Sequence, residues 1–173
     1  MINLAEYIRN VPDFPIKGIQ FKDVTTLLQQ PEAFAASIEA FLDRYADQEI
    51  DVVVGVESRG FIWGGVLAYE MGAAFVPVRK PGKLPAETIR AEYTLEYGTN
   101  ALEIHRDAIQ PGQRVLVFDD LLATGGTAKA TCELVERLGG TVVGVAFVIE
   151  LTFLNGREQL ADYDVFALIP LEA

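Results

Sequence analysis

Apolar residues recur along this chain with two different periods, and each change of period marks a new element. Phe34, Ile38, Phe41, Leu42 and Tyr45 fall at i, i+4, i+7, i+8 and i+11, the stripe of an amphipathic helix. Pro31 suits the first turn of that helix, and Glu39, Asp43 and Asp47 read as its solvated face. The pattern then changes. Val52-Val53-Val54-Gly55-Val56 is continuously apolar and mostly β-branched, as in a strand buried on both faces. Phe61 to Glu70 reads as a helix closed by Gly72, and Ala74 to Val78 as a strand whose Pro77 points to a sheet edge or end. Val115 to Phe118 predicts a third strand, ending in Asp119 and Asp120. A glycine-rich turn, a helix over Thr127 to Leu138, a Gly139-Gly140 stop, a strand over Val142 to Ile149 and a last strand from Tyr163 to Ile169 follow. Strands alternating with helices imply right-handed βαβ units around a mostly parallel sheet flanked by helices, an α/β fold.

Two stretches stand outside this scheme. Residues 10–28 mix Pro12, Pro15 and Gly18 with exposed-looking apolar positions. Residues 79–100 read as a long connection without sustained periodicity, a length that a compact domain uses as a lid or binding loop.

Composition narrows the function classes. The chain has 173 residues, enough for one domain, with 14 Lys and Arg against 25 Asp and Glu and a net charge of −11. That charge argues against a nucleic-acid partner. Half of the residues are hydrophobic, so disorder is not expected. The one cysteine, Cys132, allows no internal disulfide or cysteine zinc site and suits the cytoplasm. No apolar run is long enough to span a membrane, and the N-terminus, broken by charges and prolines, does not read as a signal peptide.

The strongest chemical signal lies in residues 115–140. After the strand and its two carboxylates, Thr124-Gly125-Gly126-Thr127 opens directly into a helix. The first N–H groups of a helix are unpaired and its dipole is positive there, which makes an anion site. The glycines let the backbone approach closely, and the Thr127 hydroxyl can cap the helix or bind a phosphate oxygen. A carboxylate pair accepts hydrogen bonds from a vicinal diol, directly or around a metal ion, so a ribose 5-phosphate fits better than bare phosphate. A simple capped turn is the competing reading. A Walker A loop fails because Gly126 is followed by Thr127-Ala128, and a dinucleotide turn fails because the first strand-to-helix turn is Glu57-Ser58-Arg59-Gly60.

VFDDLLATGGTA (117–128) resembles the phosphoribosyl-pyrophosphate motif of the type I phosphoribosyltransferases. VESRGF (56–61), FVPVRKPGKLP (75–85), YTLEYG (93–98) and FKDVTTLL (21–28) resemble further segments of that family's adenine-using members, in the same order. The resemblance implies a single phosphoribosyltransferase domain over 1–173, with a base-covering hood at 1–30 and a mobile catalytic loop at 79–100. It implies transfer of 5-phosphoribosyl from phosphoribosyl pyrophosphate to adenine, giving AMP and pyrophosphate in purine salvage, with Mg2+. It places the 5-phosphate on Ala123, Thr124, Gly125, Gly126 and Thr127, and the ribose on Asp119 and Asp120. Pyrophosphate falls to Glu57, Ser58 and Arg59, with Arg79, Lys80 and Lys83 beside it. The metal is held mainly by substrate, with Asp119 and Asp120 as candidate helpers. Family members for 6-oxopurines carry an Asp just before the Thr-Gly of the loop; here Ala123 stands there and cannot exchange a proton. The resemblance takes the acid from the mobile loop instead, at Glu96, over the purine N7, with Tyr97 helping to close the site. Adenine would stack on Phe21, with backbone groups around Gln20, Phe21 and Lys22 reading its amino edge. In the family, Arg79 reaches a neighbouring subunit's site, which implies a homodimer.

Each assignment has a plainer competitor. Arg59 could pair with Glu57 at the surface, the 79–83 bases could be a solvated cluster, Glu96 an exposed glutamate, and Phe21 ordinary core. Another purine base, or a regulator that binds phosphoribosyl pyrophosphate without transferring it, are the competing functions. His105 falls on the polar face of a short strand, Cys132 reads as a buried small residue, and Trp63 as packing. The net charge does not describe the site: residues 32–51 hold six acids and one base, and residues 79–90 four bases and one acid.

Overall fold

The computed structural model describes residues 1–95 and 98–172. At its centre lies a five-stranded sheet in the order β4-β3-β7-β8-β9, every neighbouring pair parallel. Its strands are β3 (Val52–Val56), β4 (Ala74–Val78), β7 (Arg114–Leu122), β8 (Thr141–Leu151) and β9 (Val165–Leu171). Side chains alternate across a strand, so each strand feeds two cores. Val53, Leu116, Phe118, Ala146 and Val148 face α2 (Pro31–Arg44) and α3 (Gly60–Met71). Val52, Val54, Val115, Val117 and Phe147 face α4 (Gly126–Arg137). Phe41, Trp63 and Phe118 meet in the first core and are fully buried; burial on this scale stabilises by about 1.5–3 kcal/mol per large side chain. Trp63 also donates its ring N–H to Ser37 Oγ at 2.9 Å, so its polar atom is satisfied, as a packing role requires. Cys132 is fully buried in the second core, and burial pushes its thiol up to about 12.

The predicted elements hold with corrected ends. The proline-bearing β4 is indeed an edge strand of this sheet. The strand expected to end at Phe118 runs on to Leu122, so Asp119 and Asp120 lie within β7 rather than beyond it. The reason is pairing: Asp119, Leu121 and Leu122 match Phe147, Ile149 and Glu150 of β8, and the ladder tolerates the acids. The last strand begins at Val165 rather than Tyr163, because Tyr163 closes a turn onto Leu160.

The long connection at 79–100 is largely regular structure, which corrects its reading as a loop without periodicity. Thr88–Leu95 forms β5 and pairs antiparallel with β6 (Gly98–His105). Ile89, Ala91 and Tyr93 turn towards the core over α4, while Arg90 and Glu92 stay exposed. That two-residue alternation is present in the sequence but rests on one small and two half-buried residues, a weak signal. Residues 10–28 likewise contain an antiparallel pair, β1 (Arg9–Pro12) with β2 (Gln20–Asp23), followed by the short α1 (Thr25–Leu28). His105 ends β6, where its Nε2 accepts the Ala86 N–H at 3.3 Å.

Candidate active site

Adjacent strands β3 and β7 end side by side at the carboxyl edge of the sheet, where open α/β sheets bind ligands. A cavity of about 240 Å³ opens between the two loops that leave them. From the β3 side come Glu57 and Arg59; from the β7 side come Asp119, Asp120, Ala123, Thr124, Gly125 and Thr127; Lys80 and Tyr93 close it from above. Ser58, Gly126, Arg79, Lys83, Gln20, Phe21 and Lys22 do not line it. The catalytic candidates Glu96 and Tyr97 lie outside the described residues.

The glycine-rich side of the cavity is a bare helix start. Gly125 precedes α4 in the left-handed region at φ 92°, and no side chain caps the helix. The first N–H groups of α4 are therefore open to a ligand. The Thr127 hydroxyl does not cap the helix. It meets the Tyr93 hydroxyl at 3.3 Å, and the Tyr93 ring lies against Gly126. Tyr93 is a site residue to which sequence reasoning assigned no role. Its only signal was an inward position in the weak alternation of β5.

The carboxylate pair is buried and asymmetric. Arg59 Nε donates to Asp120 Oδ2 at 2.6 Å. Burial works against the Arg59 charge, but Asp120 outweighs it and the guanidinium is held protonated more firmly than usual. Asp119 makes no direct ion pair among the described residues, and Arg59 offsets its burial only in part. Burial, reinforced by the neighbouring Asp120 charge, raises its carboxyl well above the ordinary range, and its Oδ1 accepts the Asp120 N–H at 2.8 Å. Arg59 thus engages one acid of the pair, and the other has its carboxyl raised. Both suit a sugar diol, which offers donors and acceptors together.

The basic segment is held in place by two acids. Glu57 Oε1 accepts Arg79 Nε at 3.1 Å and the Lys80 N–H at 2.8 Å. Glu103 exchanges backbone hydrogen bonds with Arg79, and its carboxylate accepts the Gly82 N–H at 2.9 Å. That N–H, with Arg90 behind it, lowers the Glu103 pKa. The competing reading, a surface pair of Arg59 with Glu57, is not formed; each takes another partner. Lys80 reaches the cavity, whereas Lys83 is exposed on the turn.

At the other end the hood leans over Arg59, whose guanidinium carbon lies 5.7 Å from the centre of the Phe21 ring. Phe21 is half-buried and belongs to neither core, against its reading as ordinary core. Gln20 and Lys22, flanking it, turn to Asn10 on the outer face of the hairpin at 2.8 Å each. Of the three hood candidates only Phe21 has its side chain directed towards the site.

An acid pair within the last residues of β7, beside an uncapped, glycine-opened helix start and an arginine, is an arrangement that fits a sugar-phosphate transferase. The phosphoribosyl transferase domain family matches residues 23–169, and the chain belongs to that family. An adenine phosphoribosyltransferase of Chloroflexus aurantiacus is 64% identical over 167 residues, covering 96% of each chain. The crystal structure of the adenine phosphoribosyltransferase from Thermoanaerobacter pseudethanolicus superposes with a TM-score of 0.94 at 54% identity, over 97% of this chain and 98% of that one. The Saccharomyces cerevisiae enzyme, complexed with adenine and an imino-altritol bisphosphate, gives a TM-score of 0.91 at 43% identity over 96% of each.

Proposed function

We propose that this chain transfers the 5-phosphoribosyl group of phosphoribosyl pyrophosphate to adenine, releasing pyrophosphate and forming AMP in purine salvage. The convergence of Arg59, Asp119, Asp120 and the 123–127 loop in one cavity carries the reading, and the names of its relatives support it.

Breaking the bond from ribose C1 to pyrophosphate leaves positive charge on the sugar and negative charge on the departing group. Positioning and electrostatics then supply most of the acceleration. The open N–H groups of α4 hold the 5-phosphate, and Asp119 and Asp120 orient the ribose hydroxyls beneath the reacting carbon. Arg59 and Lys80 face the pyrophosphate side. The purine sheds one proton as its N9 bonds C1, and Glu96 exchanges that proton at N7, accepting it as AMP forms and donating it in the reverse direction, while Tyr97 beside it helps exclude water. Ala123 places no acid at the base, which favours adenine over the 6-oxopurines.

Mg2+ fits this site only as a substrate-borne ion. Among the described residues no three His, Cys, Asp or Glu side chains gather to hold a metal, and Asp120 is already engaged by Arg59. Asp119 and Asp120 would assist from the diol side, in keeping with magnesium bound through substrate oxygens and one or two carboxylates. When bound, the ion neutralises charge on the pyrophosphate.

We further infer a homodimer and a cytoplasmic location. The exposed Ile62 and Tyr69 on α3 offer apolar surface for self-association, and a single buried free thiol suits a reducing compartment. No helix among the described residues is long and apolar enough to cross a membrane.

Turnover with phosphoribosyl pyrophosphate against adenine, hypoxanthine, guanine and xanthine, with and without Mg2+, tests the proposal. Adenine is the expected substrate, and preference for a 6-oxopurine would overturn the Ala123 argument. In the same assay Glu96→Ala lowers kcat by roughly 10²–10⁴-fold while phosphoribosyl pyrophosphate still binds. Unchanged turnover would remove Glu96 from the mechanism.

A further inference from the structure

The 5-phosphate loop is shaped from behind by a segment that touches no substrate in the mechanism above. After β8 the chain makes two short 3₁₀ turns, Thr152–Leu154 and Gly156–Leu160. The buried backbone of Gly156 packs against the loop. A Cβ built on Gly156 would lie 2.5 Å from the Ala123 carbonyl oxygen and 2.8 Å from Leu122 Cδ1. A Cβ built on Gly125 would lie 2.5 Å from the Gly156 carbonyl oxygen and 2.9 Å from Gln159 Cβ. The two backbones are therefore in reciprocal contact, with room for a side chain on neither.

The segment is fixed at both ends. Arg157 Nε donates to both oxygens of the buried Glu150, at 3.0 and 2.9 Å, and its Nη1 donates to the Val165 carbonyl at 3.1 Å. Arg157 thus joins β8 to β9 beneath the glycine. The bond to Glu150 raises the Arg157 pKa further. Leu160, three residues on, is fully buried in the same core as Leu122 and Ala128.

We propose that Gly156, held by the Glu150–Arg157 clamp, is a positioning residue for the 5-phosphate loop, setting the place of the Ala123 carbonyl and of the Gly125 turn. The proposal rests on the assignment of residues 123–127 to the 5-phosphate. A methyl group at residue 156 pushes the Ala123 carbonyl forward, moving the N–H groups that meet the phosphate while leaving the hood and Phe21 alone.

Steady-state kinetics of the full chain, with phosphoribosyl pyrophosphate and adenine varied separately, test this alongside calorimetric AMP binding and a thermal melt. Gly156→Ala is expected to raise KM for phosphoribosyl pyrophosphate and Kd for AMP by on the order of tenfold or more, since displacements near one ångström have effects of that size. KM for adenine should stay near wild type. Arg157→Lys keeps the charge opposite Glu150 but loses the fork that also reaches Val165, and should raise the same two constants by less. It also decides the matter if Gly156→Ala does not fold. Wild-type constants in the folded variant, or an equal rise in both KM values, would overturn the positioning role. A wild-type chain that binds neither phosphoribosyl pyrophosphate nor AMP would overturn the phosphate assignment itself.

Discussion

The 123–127 loop, proposed to take the 5-phosphate, and the hood, proposed to cover the base, are held in different ways. Residues 123–127 sit between a parallel sheet, a helix start, the Gly156 backbone and the Tyr93 ring, with glycines at the contacts where a side chain would collide. The hood carrying Phe21 is a two-stranded hairpin tied by polar side-chain bonds, with Phe14 against Phe21 as its aromatic contact. Its exposed Phe14, Ile16 and Ile19 pack into neither core. A site that must grip a charged group gains from fixed N–H groups, because preorganised dipoles need no rearrangement when the ligand arrives. A site that must admit and release a flat base gains from a cover held by weaker contacts, drawn from the less stable end of the structure.

Substitutions should separate the two ends. The largest effect is expected from Gly125→Ala, which combines φ 92° with a Cβ 2.5 Å from a carbonyl oxygen. It should lower kcat/KM for phosphoribosyl pyrophosphate by on the order of a hundredfold, and steady-state kinetics showing less than a twofold change would break the contrast. Asp120→Asn removes the charge that holds Arg59 and should weaken phosphoribosyl pyrophosphate by about tenfold, the scale of one charged hydrogen bond. Isothermal titration showing wild-type affinity would remove Asp120 from ribose binding. Phe21→Ala should raise KM for adenine by about tenfold, the low end of base–aromatic stacking, and leave KM for phosphoribosyl pyrophosphate unchanged. A parallel rise in both would make the hood part of one rigid site.

The smallest effect concerns acid. The Thr25 hydroxyl, the Thr25 N–H and Arg9 hold the Asp23 carboxyl at about 2 rather than 3.8. A depressed folded pKa adds stability above the unfolded value and loses it as pH falls through the folded one. Between pH 3.8 and about 2 the hood should therefore loosen before β7 does. An NMR titration placing the Asp23 midpoint near its ordinary value would refute this.

Legibility in the sequence followed the same division. Val52–Val56 and Ala74–Val78 read correctly to the residue: the first is buried throughout and leaves an unbroken apolar run, and the second is a short apolar run bounded by Gly72 and Arg79. The 123–127 loop was legible because an uncapped helix start needs glycines at set positions. The end of β7 was misplaced because buried acids look like a strand terminus in sequence, and only pairing with β8 shows them inside the ladder. The β5–β6 hairpin was missed because its inward face rests on a residue as small as Ala91. Tyr93 carried only a weak alternation and Gly156 no local signal, since both act by contact with a loop about 30 residues away in the chain.

The sequence by itself determined the α/β class, the phosphate loop, the acid pair and the absence of an acid at Ala123, all of which depend on residue type at short spacing. Tertiary structure decided the partners: Arg59 with Asp120, Glu57 with Arg79, Phe21 over the site while Gln20 and Lys22 turn away. Charge partners and close contacts depend on distances across strands far apart in the chain, and no local period records them.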